Sequence, residues 1–215
     1  QAGVDPSAVA RSARKTGMVL IQVGLDGSRR FLGYAESGAE YDFPPERWDQ
    51  ASPDPLEGAD WLVVGSGSLA REPMSLALRH VVARAKALRV PIAADLNVRA
   101  HLWSSPEAMA REVGWLCRQV ELVRASEEDL DALGRPATAE SLRELAPQAV
   151  GVLTLGARGA LAVVHAAGAH AAAPSVPVVD TTGAGDAATA GLLAHLWTCR
   201  MHPRAHPNRF ADSAR

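Results

Sequence analysis

The chain has 215 residues, of which 47% are hydrophobic and 21% are charged, and its formal net charge is -2. This length and apolar content are sufficient to bury the core of a globular domain. The near-neutral charge argues against nucleic acid and anionic membrane surfaces as partners, because both are bound through clusters of Lys and Arg. The weakly polar run 160–173 is too broken by His and Gly residues to predict a membrane span.

The first predicted elements are two strands, at 16–23 and 29–34, joined by the Asp26-Gly27 dipeptide that is typical of hairpin turns. A proline-rich loop follows, and then apolar spacing predicts a strand at 61–64 and a helix at 73–88. The pattern continues with a strand at 90–95, a helix at 106–117 and a strand at 120–123.

The second half of the chain repeats this alternation. It predicts helices at 126–133, 139–145 and 186–197, with strands at 150–155 and 160–164 between them. Alternating strands and helices predict an α/β fold with a mainly parallel sheet covered by helices on both faces. Asp95, Ser126, Gly156 and Asp180 each follow an apolar strand, so we expect them at the same rim of the sheet, where ligands bind in such folds.

The segment from Asp180 to Asp186 reads Asp-Thr-Thr-Gly-Ala-Gly-Asp and opens the last predicted helix. Its glycines allow a tight turn, and the N–H groups of Gly183, Ala184 and Gly185 can bind an anion at the helix start. Asp186 would repel a resting phosphate there, so we interpret it as the general base for a hydroxyl that attacks a phosphoryl group. An ordinary helix N-cap is the alternative, but it leaves the glycines unexplained.

The whole string resembles the second signature of the PfkB, or ribokinase-like, carbohydrate kinases. Segments 61–73, 95–103, 126–130 and 154–159 are similar to that family in the same order, with the greatest similarity to fructokinases. The resemblance implies a ribokinase-like fold over residues 1–198, with the 16–34 hairpin as part of a small β lid and 199–215 as an irregular tail. It also implies ATP-dependent phosphorylation of a sugar hydroxyl, with Mg²⁺ as the metal.

The same resemblance assigns roles to residues outside the signature. On the nucleotide side it implies contacts from Thr154, Gly156, Gly159 and Ser126; on the sugar side it implies Tyr34, Asn97, Arg99 and Asp186. A hairpin turn also explains the glycines of the 154–159 segment, and a turn amide and a surface guanidinium also explain Asn97 and Arg99.

Three residues are candidates for holding cations. The resemblance implies that Asp129 approaches Mg²⁺ through a water, although Asp is shorter than the Glu expected there, and that Asp180 and Thr182 shape a loop for K⁺. For each of them capping is the competing interpretation: Ser126 and Asp129 form a plausible N-cap pair, and Asp180 can close its own turn.

Fructose is the leading substrate, and the alternatives are 2-keto-3-deoxygluconate, ribose, a nucleoside, or a non-catalytic nucleotide- or sugar-binding remnant. Ala35 stands where 2-keto-3-deoxygluconate kinases often carry Arg, which favours a neutral sugar. The chain lacks the upstream sugar-gripping strands and the downstream adenine wall of the family, so we expect a chain truncated at both ends with little activity alone. Cys117 and Cys199 suggest no disulfide framework and fit a reducing cytoplasm, and a homodimer through the lid is expected.

Overall fold

The computed structural model describes residues 3–24, 29–34, 38–50, 53–165, 167–178 and 180–199. The predicted hairpin is present: β1 (Val19–Val23) pairs antiparallel with β2 (Arg29–Tyr34) in a separate two-stranded sheet. The Asp26-Gly27 turn and residues 200–215 of the predicted tail lie outside the described ranges.

The main sheet has six strands that lie side by side in chain order. They are β3 (Leu62–Gly65), β4 (Ile92–Asp95), β5 (Leu122–Ser126), β6 (Val150–Thr154), β7 (Ala160–Val164) and β8 (Ala167–Ala171). Strands β3 to β6 are parallel, whereas β7 and β8 are antiparallel to their neighbours. The five residues between β6 and β7 are too few for a crossover, so this connection can only form a hairpin.

Six α-helices accompany the strands in the described part of the chain. They are α1 (Pro45–Asp49), α2 (Met74–Ala87), α3 (Pro106–Cys117), α4 (Glu127–Ala132), α5 (Ala139–Leu145) and α6 (Ala184–Thr198). None of the helices among the described residues is long and apolar enough to cross a bilayer. The predicted α/β architecture, with a mostly parallel sheet and a small β hairpin, is confirmed.

The core lies around β4 and β5, where Ile92 and Val123 have no exposed surface. Helices α2 and α3 contribute apolar side chains such as Val82 and Leu116 to the same core. Burial of aliphatic side chains on this scale, at about 2 kcal/mol for each, fixes the strands firmly. The carboxyl ends of β4, β5 and β6 are therefore rigid supports for side chains at the sheet rim.

Helix α6 differs from the others because most of its surface is exposed. Thr189 is its only buried residue, and Trp197 near its end is 57% exposed. The helix is therefore attached to the described structure along a narrow face.

Candidate functional site

A cavity of about 420 Å³ lies between the edge of the main sheet and α6. Its lining combines the ends of β3 and β4 with one side of α6: Val63, Val64, Gly65, Asp95, Asn97, Asp186, Thr189, Ala190 and Leu193. Two residues from distant predicted motifs, Asn97 and Asp186, thus face the same space. Asn97 has φ of +40°, a left-handed conformation that Asn tolerates better than most residues.

The start of α6 is built by the glycines of the signature. Gly183 is the N-cap, and its φ of +76° lies in the left-handed region that favours glycine. The Ala184 N–H donates to the Thr181 carbonyl at 3.1 Å, and the Ala187 N–H donates to the Gly183 carbonyl at 2.8 Å. Helix geometry leaves the N–H groups of Gly185 and Asp186 without an acceptor inside the helix, so they can receive an anion.

The Asp186 carboxylate lies in this first turn and is exposed. Among the residues that the structure describes, it takes part in no hydrogen bond or ion pair. Asp186 is therefore accessible from the cavity and able to accept a proton.

Arg124 on β5 lies beneath the start of α6, and the sequence did not single it out. Its Nη1 donates to Asp95 Oδ1 at 3.0 Å, and its Nη2 donates to Thr154 Oγ1 at 2.7 Å. The second Asp95 oxygen, Oδ2, accepts a 2.8 Å hydrogen bond from Thr189 Oγ1 on α6. Arg124 is only 9% exposed, so this network is shielded from solvent.

One signal in the sequence could have identified Arg124. It stands inside the apolar strand Leu122–Ser126, and Arg is almost never fully buried without a partner. An Arg in such a strand therefore predicts a buried acidic partner nearby. Asp95, at the end of the neighbouring strand β4, is that partner.

Ser126 and Asp129 form the capping box of α4. Asp129 Oδ2 accepts from the Ser126 N–H at 2.8 Å and from its hydroxyl at 2.9 Å, while Ser126 Oγ accepts from the Asp129 N–H at 3.2 Å. Asp129 Oδ1 accepts a 2.6 Å bond from the N–H of Val98, which ties the loop after β4 to α4. Because Asp129 is 3% exposed and both its oxygens have partners, the geometry favours capping over a metal role.

The glycine loop connects β6 to β7 as a tight turn. Thr154 ends β6, and its hydroxyl accepts from Arg124 and donates to the Ala125 carbonyl at 3.3 Å. Gly156 and Gly159 both have positive φ, of +55° and +93°. A Cβ on Gly159 would lie 1.9 Å from the Ala171 carbonyl oxygen, so β8 packs directly against this glycine.

The remaining predicted cation residues form a local turn. Asp180 Oδ1 accepts from the Thr182 N–H at 2.7 Å and from its hydroxyl at 2.9 Å, as expected for a side chain that caps its own turn. Within the described residues, no group of three or more His, Cys, Asp or Glu side chains could hold a metal ion. The K⁺ loop stays a prediction.

The predicted sugar-side residues are not all at the cavity. Arg99 does not line it, and its Nη1 donates to the Val98 carbonyl at 3.3 Å. Tyr34 is the last residue of β2 and pairs with Val19 through the backbone. Close to Arg99, burial lowers the pKa of His101, and the Arg99 and Arg71 charges lower it further. The guanidinium groups of Arg99 and Arg71 thus lie close enough to His101 to disfavour its protonation.

A comparison with protein families shows which family the chain belongs to. The model of the pfkB family of carbohydrate kinases matches residues 1–206. The chain belongs to this family. This PfkB chain is 31% identical to a fructokinase of Vibrio alginolyticus over 186 residues, which cover 85% of the chain and 59% of that relative. It is 28% identical to the aminoimidazole riboside kinase of Salmonella typhimurium over 222 residues, which cover 99% of the chain and 68% of that relative.

Solved structures agree with this PfkB assignment. The crystal structure of fructokinase from Vibrio cholerae O395, in a form with bound fructose, ADP and calcium ion, aligns with a TM-score of 0.71 and 28% identity. The alignment covers 86% of this chain and 60% of that one. The chain thus spans about three fifths of the fructokinases that it matches. The ribokinase-like fold expected from the sequence is confirmed.

Proposed function

We propose that this chain carries the phosphoryl-transfer site of an ATP-dependent sugar kinase, with fructose as the leading acceptor. One observation carries the proposal: Asp186, in the first turn of α6, faces the same 420 Å³ cavity as Asn97 and Asp95. An accessible carboxylate beside unpaired helix N–H groups suits the deprotonation of a hydroxyl that attacks phosphate. The fructokinases among the relatives support the choice of fructose.

The proposed mechanism uses positioning and electrostatics. Asp186 accepts the proton of the sugar hydroxyl, while the N–H groups at Gly183, Ala184 and Gly185 stabilise the charge that develops on the transferring phosphoryl group. Each well-placed donor of this kind contributes about 3 kcal/mol in the transition state. Since Ala184 donates to Thr181 in the present geometry, its N–H contributes only after that bond is exchanged. Asn97, on the opposite wall of the cavity, orients the sugar. Arg99 contacts the sugar from outside the cavity lining.

On the nucleotide side, we assign ATP contacts to Ser126, Thr154, Gly156 and Gly159. All of them lie at or just after the carboxyl ends of β5 and β6. Because the Thr154 hydroxyl is bound to Arg124, the contacts are expected to come mainly from the backbone of the turn after β6. The ADP in the Vibrio cholerae fructokinase structure supports a nucleotide as co-substrate.

For the metal, we propose Mg²⁺ that is brought in with the nucleotide. Mg²⁺ is commonly held by one or two carboxylates and the substrate phosphates, and it neutralises the phosphate oxygens. The described residues offer no all-protein cage, and the oxygens of Asp129 are occupied by its own cap and Val98. Asp129 would therefore reach the metal only through a bound water, and K⁺ binding near Asp180 and Thr182 remains part of the proposal.

The competing substrates are aminoimidazole riboside, as for the Salmonella typhimurium relative, 2-keto-3-deoxygluconate, ribose and other nucleosides. A non-catalytic remnant that binds nucleotide or sugar is the second kind of function. The competing substrates differ in the rate of ADP release that each supports, whereas a remnant releases no ADP with any acceptor. A coupled assay of ADP release over a panel of acceptors therefore separates them.

The test uses two proteins: the chain alone, and a chimera that joins it to the flanking segments of the Vibrio alginolyticus fructokinase. The chimera is expected to release ADP with fructose faster than with the other acceptors, and the chain alone much more slowly. ADP or ATP binding without turnover on any acceptor would favour the remnant. A faster reaction with aminoimidazole riboside would replace fructose as the substrate.

Two further proposals concern the setting of the protein. Both cysteines are free, which supports a reducing, cytoplasmic location. Met18, Val19 and Leu20 are 49–67% exposed on or beside the hairpin, which supports a homodimer through this surface. Leu20→Glu is expected to convert the dimer to a monomer in light scattering, and an unchanged mass would reject this interface.

A further inference from the structure

The network around Arg124 joins three strands of the main sheet to α6. Arg124 on β5 binds Asp95 at the end of β4 and Thr154 at the end of β6. Asp95 then accepts the hydrogen bond from Thr189 on α6. A guanidinium suits this place because its donors lie in one fixed plane and can hold two partners on different strands at once.

In the described part of the chain, the hydrogen bond from Thr189 to Asp95 is the only one that joins a side chain of α6 to the sheet. Thr189 is 5% exposed and is the one buried residue of the helix. Asp95 in turn is held by Arg124. The position of α6 therefore depends on this chain of contacts more than on apolar burial.

Arg124 also meets the first turn of α6 directly. A Cβ on Gly185 would lie 3.0 Å from both Nη1 and Nη2 of Arg124, so the Gly185 backbone rests against the guanidinium. Gly185 and Thr189 are four residues apart and therefore lie on the same face of the helix. The network thus supports α6 at two points one turn apart, which fixes both its height above the sheet and its rotation.

We propose that Arg124 is a positioning residue: it sets the first turn of α6, and through that turn it places the N–H groups at 183–185 and the Asp186 carboxylate. The consequence of this positioning by Arg124 for phosphoryl transfer rests on the proposed function. Its effect on α6 does not, because the contacts concern the free protein. Arg124 and Asp95 bind each other with side chains that are only 11% and 13% exposed, which argues against a general surface role. The Nε atom of Arg124 is buried without a hydrogen-bond partner among the described residues.

The first experiment measures hydrogen–deuterium exchange in the free 215-residue chain. The amides of residues 187–190 donate to the carbonyls of 183–186 and report on the first turn. Thr189→Val keeps the size of the side chain and the Arg124–Asp95 pair but removes the link to the helix. Arg124→Lys keeps the charge but not the planar pair of donors, and Arg118→Met, at an exposed Arg after α3, is the matched control.

We expect Thr189→Val and Arg124→Lys to speed exchange at 187–190 by at least about tenfold, while α2 and α3 exchange as in the parent and Arg118→Met changes neither. Unchanged exchange in α6 would overturn the inference. Equal acceleration in α2, α3 and α6 would also overturn it, because Arg124 would then support the fold as a whole.

The second experiment measures binding of Mg²⁺ with AMP-PNP and with ADP by calorimetry. The parent protein is expected to bind AMP-PNP more tightly than ADP. Thr189→Val is expected to reduce this preference without lowering the affinity for ADP. If the parent shows no preference, the proposed anion site fails, and the exchange result still decides whether Arg124 positions α6. A parent preference that survives in both variants would show that Arg124 does not act on the phosphoryl site.

Discussion

The turn at Gly159 allows a sharp test of the structure. Gly159 has φ of +93° and ψ of -137°, a combination almost confined to glycine. A Cβ there would approach the Ala171 carbonyl oxygen to 1.9 Å and the Ala173 nitrogen to 2.8 Å. Both neighbours are backbone atoms in or just after β8, so neither can rotate away as a side chain would. Gly159→Ala must therefore displace the edge of the sheet.

The expected cost has two parts. An unfavourable backbone conformation for Ala costs about 2 kcal/mol. To restore an ordinary carbon–oxygen contact of about 3.5 Å, β8 must move by more than about 1 Å and weaken its pairing with β7, which adds about 1–2 kcal/mol. The sum of about 3–4 kcal/mol is a large part of the 5–15 kcal/mol typical of domain stability.

Gly156→Ala in the same turn is the matched control. Gly156 also has positive φ, of +55°, but nothing lies within 4 Å of its added Cβ. It should therefore cost only the left-handed conformation, about 1 kcal/mol. Urea unfolding followed by tryptophan fluorescence measures both variants. Equal destabilisation by the two substitutions would refute the close contact between Gly159 and β8.

Three other substitutions test separate parts of the structure. Burial raises the pKa of Glu121, so this side chain favours the folded state at low pH, and that contribution to stability is lost as the pH rises through the raised pKa. Glu121→Gln should therefore raise Tm at pH 7 but not near pH 4. Equal changes in Tm at the two pH values would contradict this. Asp129→Ala leaves the N–H groups of Val98 and Ser126 unpaired and should lower the free energy of unfolding in urea by about 3 kcal/mol. The control Asp131→Ala, at an exposed position, should lower it by less than about 0.5 kcal/mol. Similar losses in the two variants would reject the capping role of Asp129. Gly185→Ala should slow turnover of the active chimera at least about tenfold, because the new methyl group pushes the first turn of α6 away from the fixed guanidinium; an unchanged rate would show that the contact is loose.

The periodic elements could be predicted well from the sequence. The structure gives helices at Pro106–Cys117 and Ala139–Leu145 and a strand at Ala160–Val164, with the predicted bounds. Strand β8 was missed because Ala167–Ala171 contains no β-branched residue and no Phe, Tyr or Trp, and its pairing with β7 is a tertiary effect. Helix α1 was assigned to a loop because of its prolines, although Pro45 occupies the first helical position, where proline is favoured.

The site was only partly accessible to the same reasoning. The glycines and Asp186 have a local signature. The rule that ligands bind at the carboxyl ends of strands predicted a common rim for Asp95, Ser126, Gly156 and Asp180, of which Asp95 lines the cavity. Arg124 could not be placed, because its role depends on side chains from β4, β6 and α6 that are far apart in sequence. The contact between Gly159 and β8 was hidden for the same reason, since β8 itself was not predicted.

Single-turnover transfer from radiolabelled ATP to fructose, in the chimera and in its Asp186→Asn variant, tests the central claim most directly. Loss of a general base typically slows the reaction about 100-fold to 10,000-fold. Asp186→Asn removes one charge at an exposed position without changing the size of the side chain, so folding and ATP affinity should be retained. We predict transfer in the parent and a loss of at least about 100-fold in the variant. A variant that keeps more than about half of the parent rate would contradict the assignment of Asp186 as the base and of the α6 site built around it, because loss of a base lowers the rate about 100-fold or more.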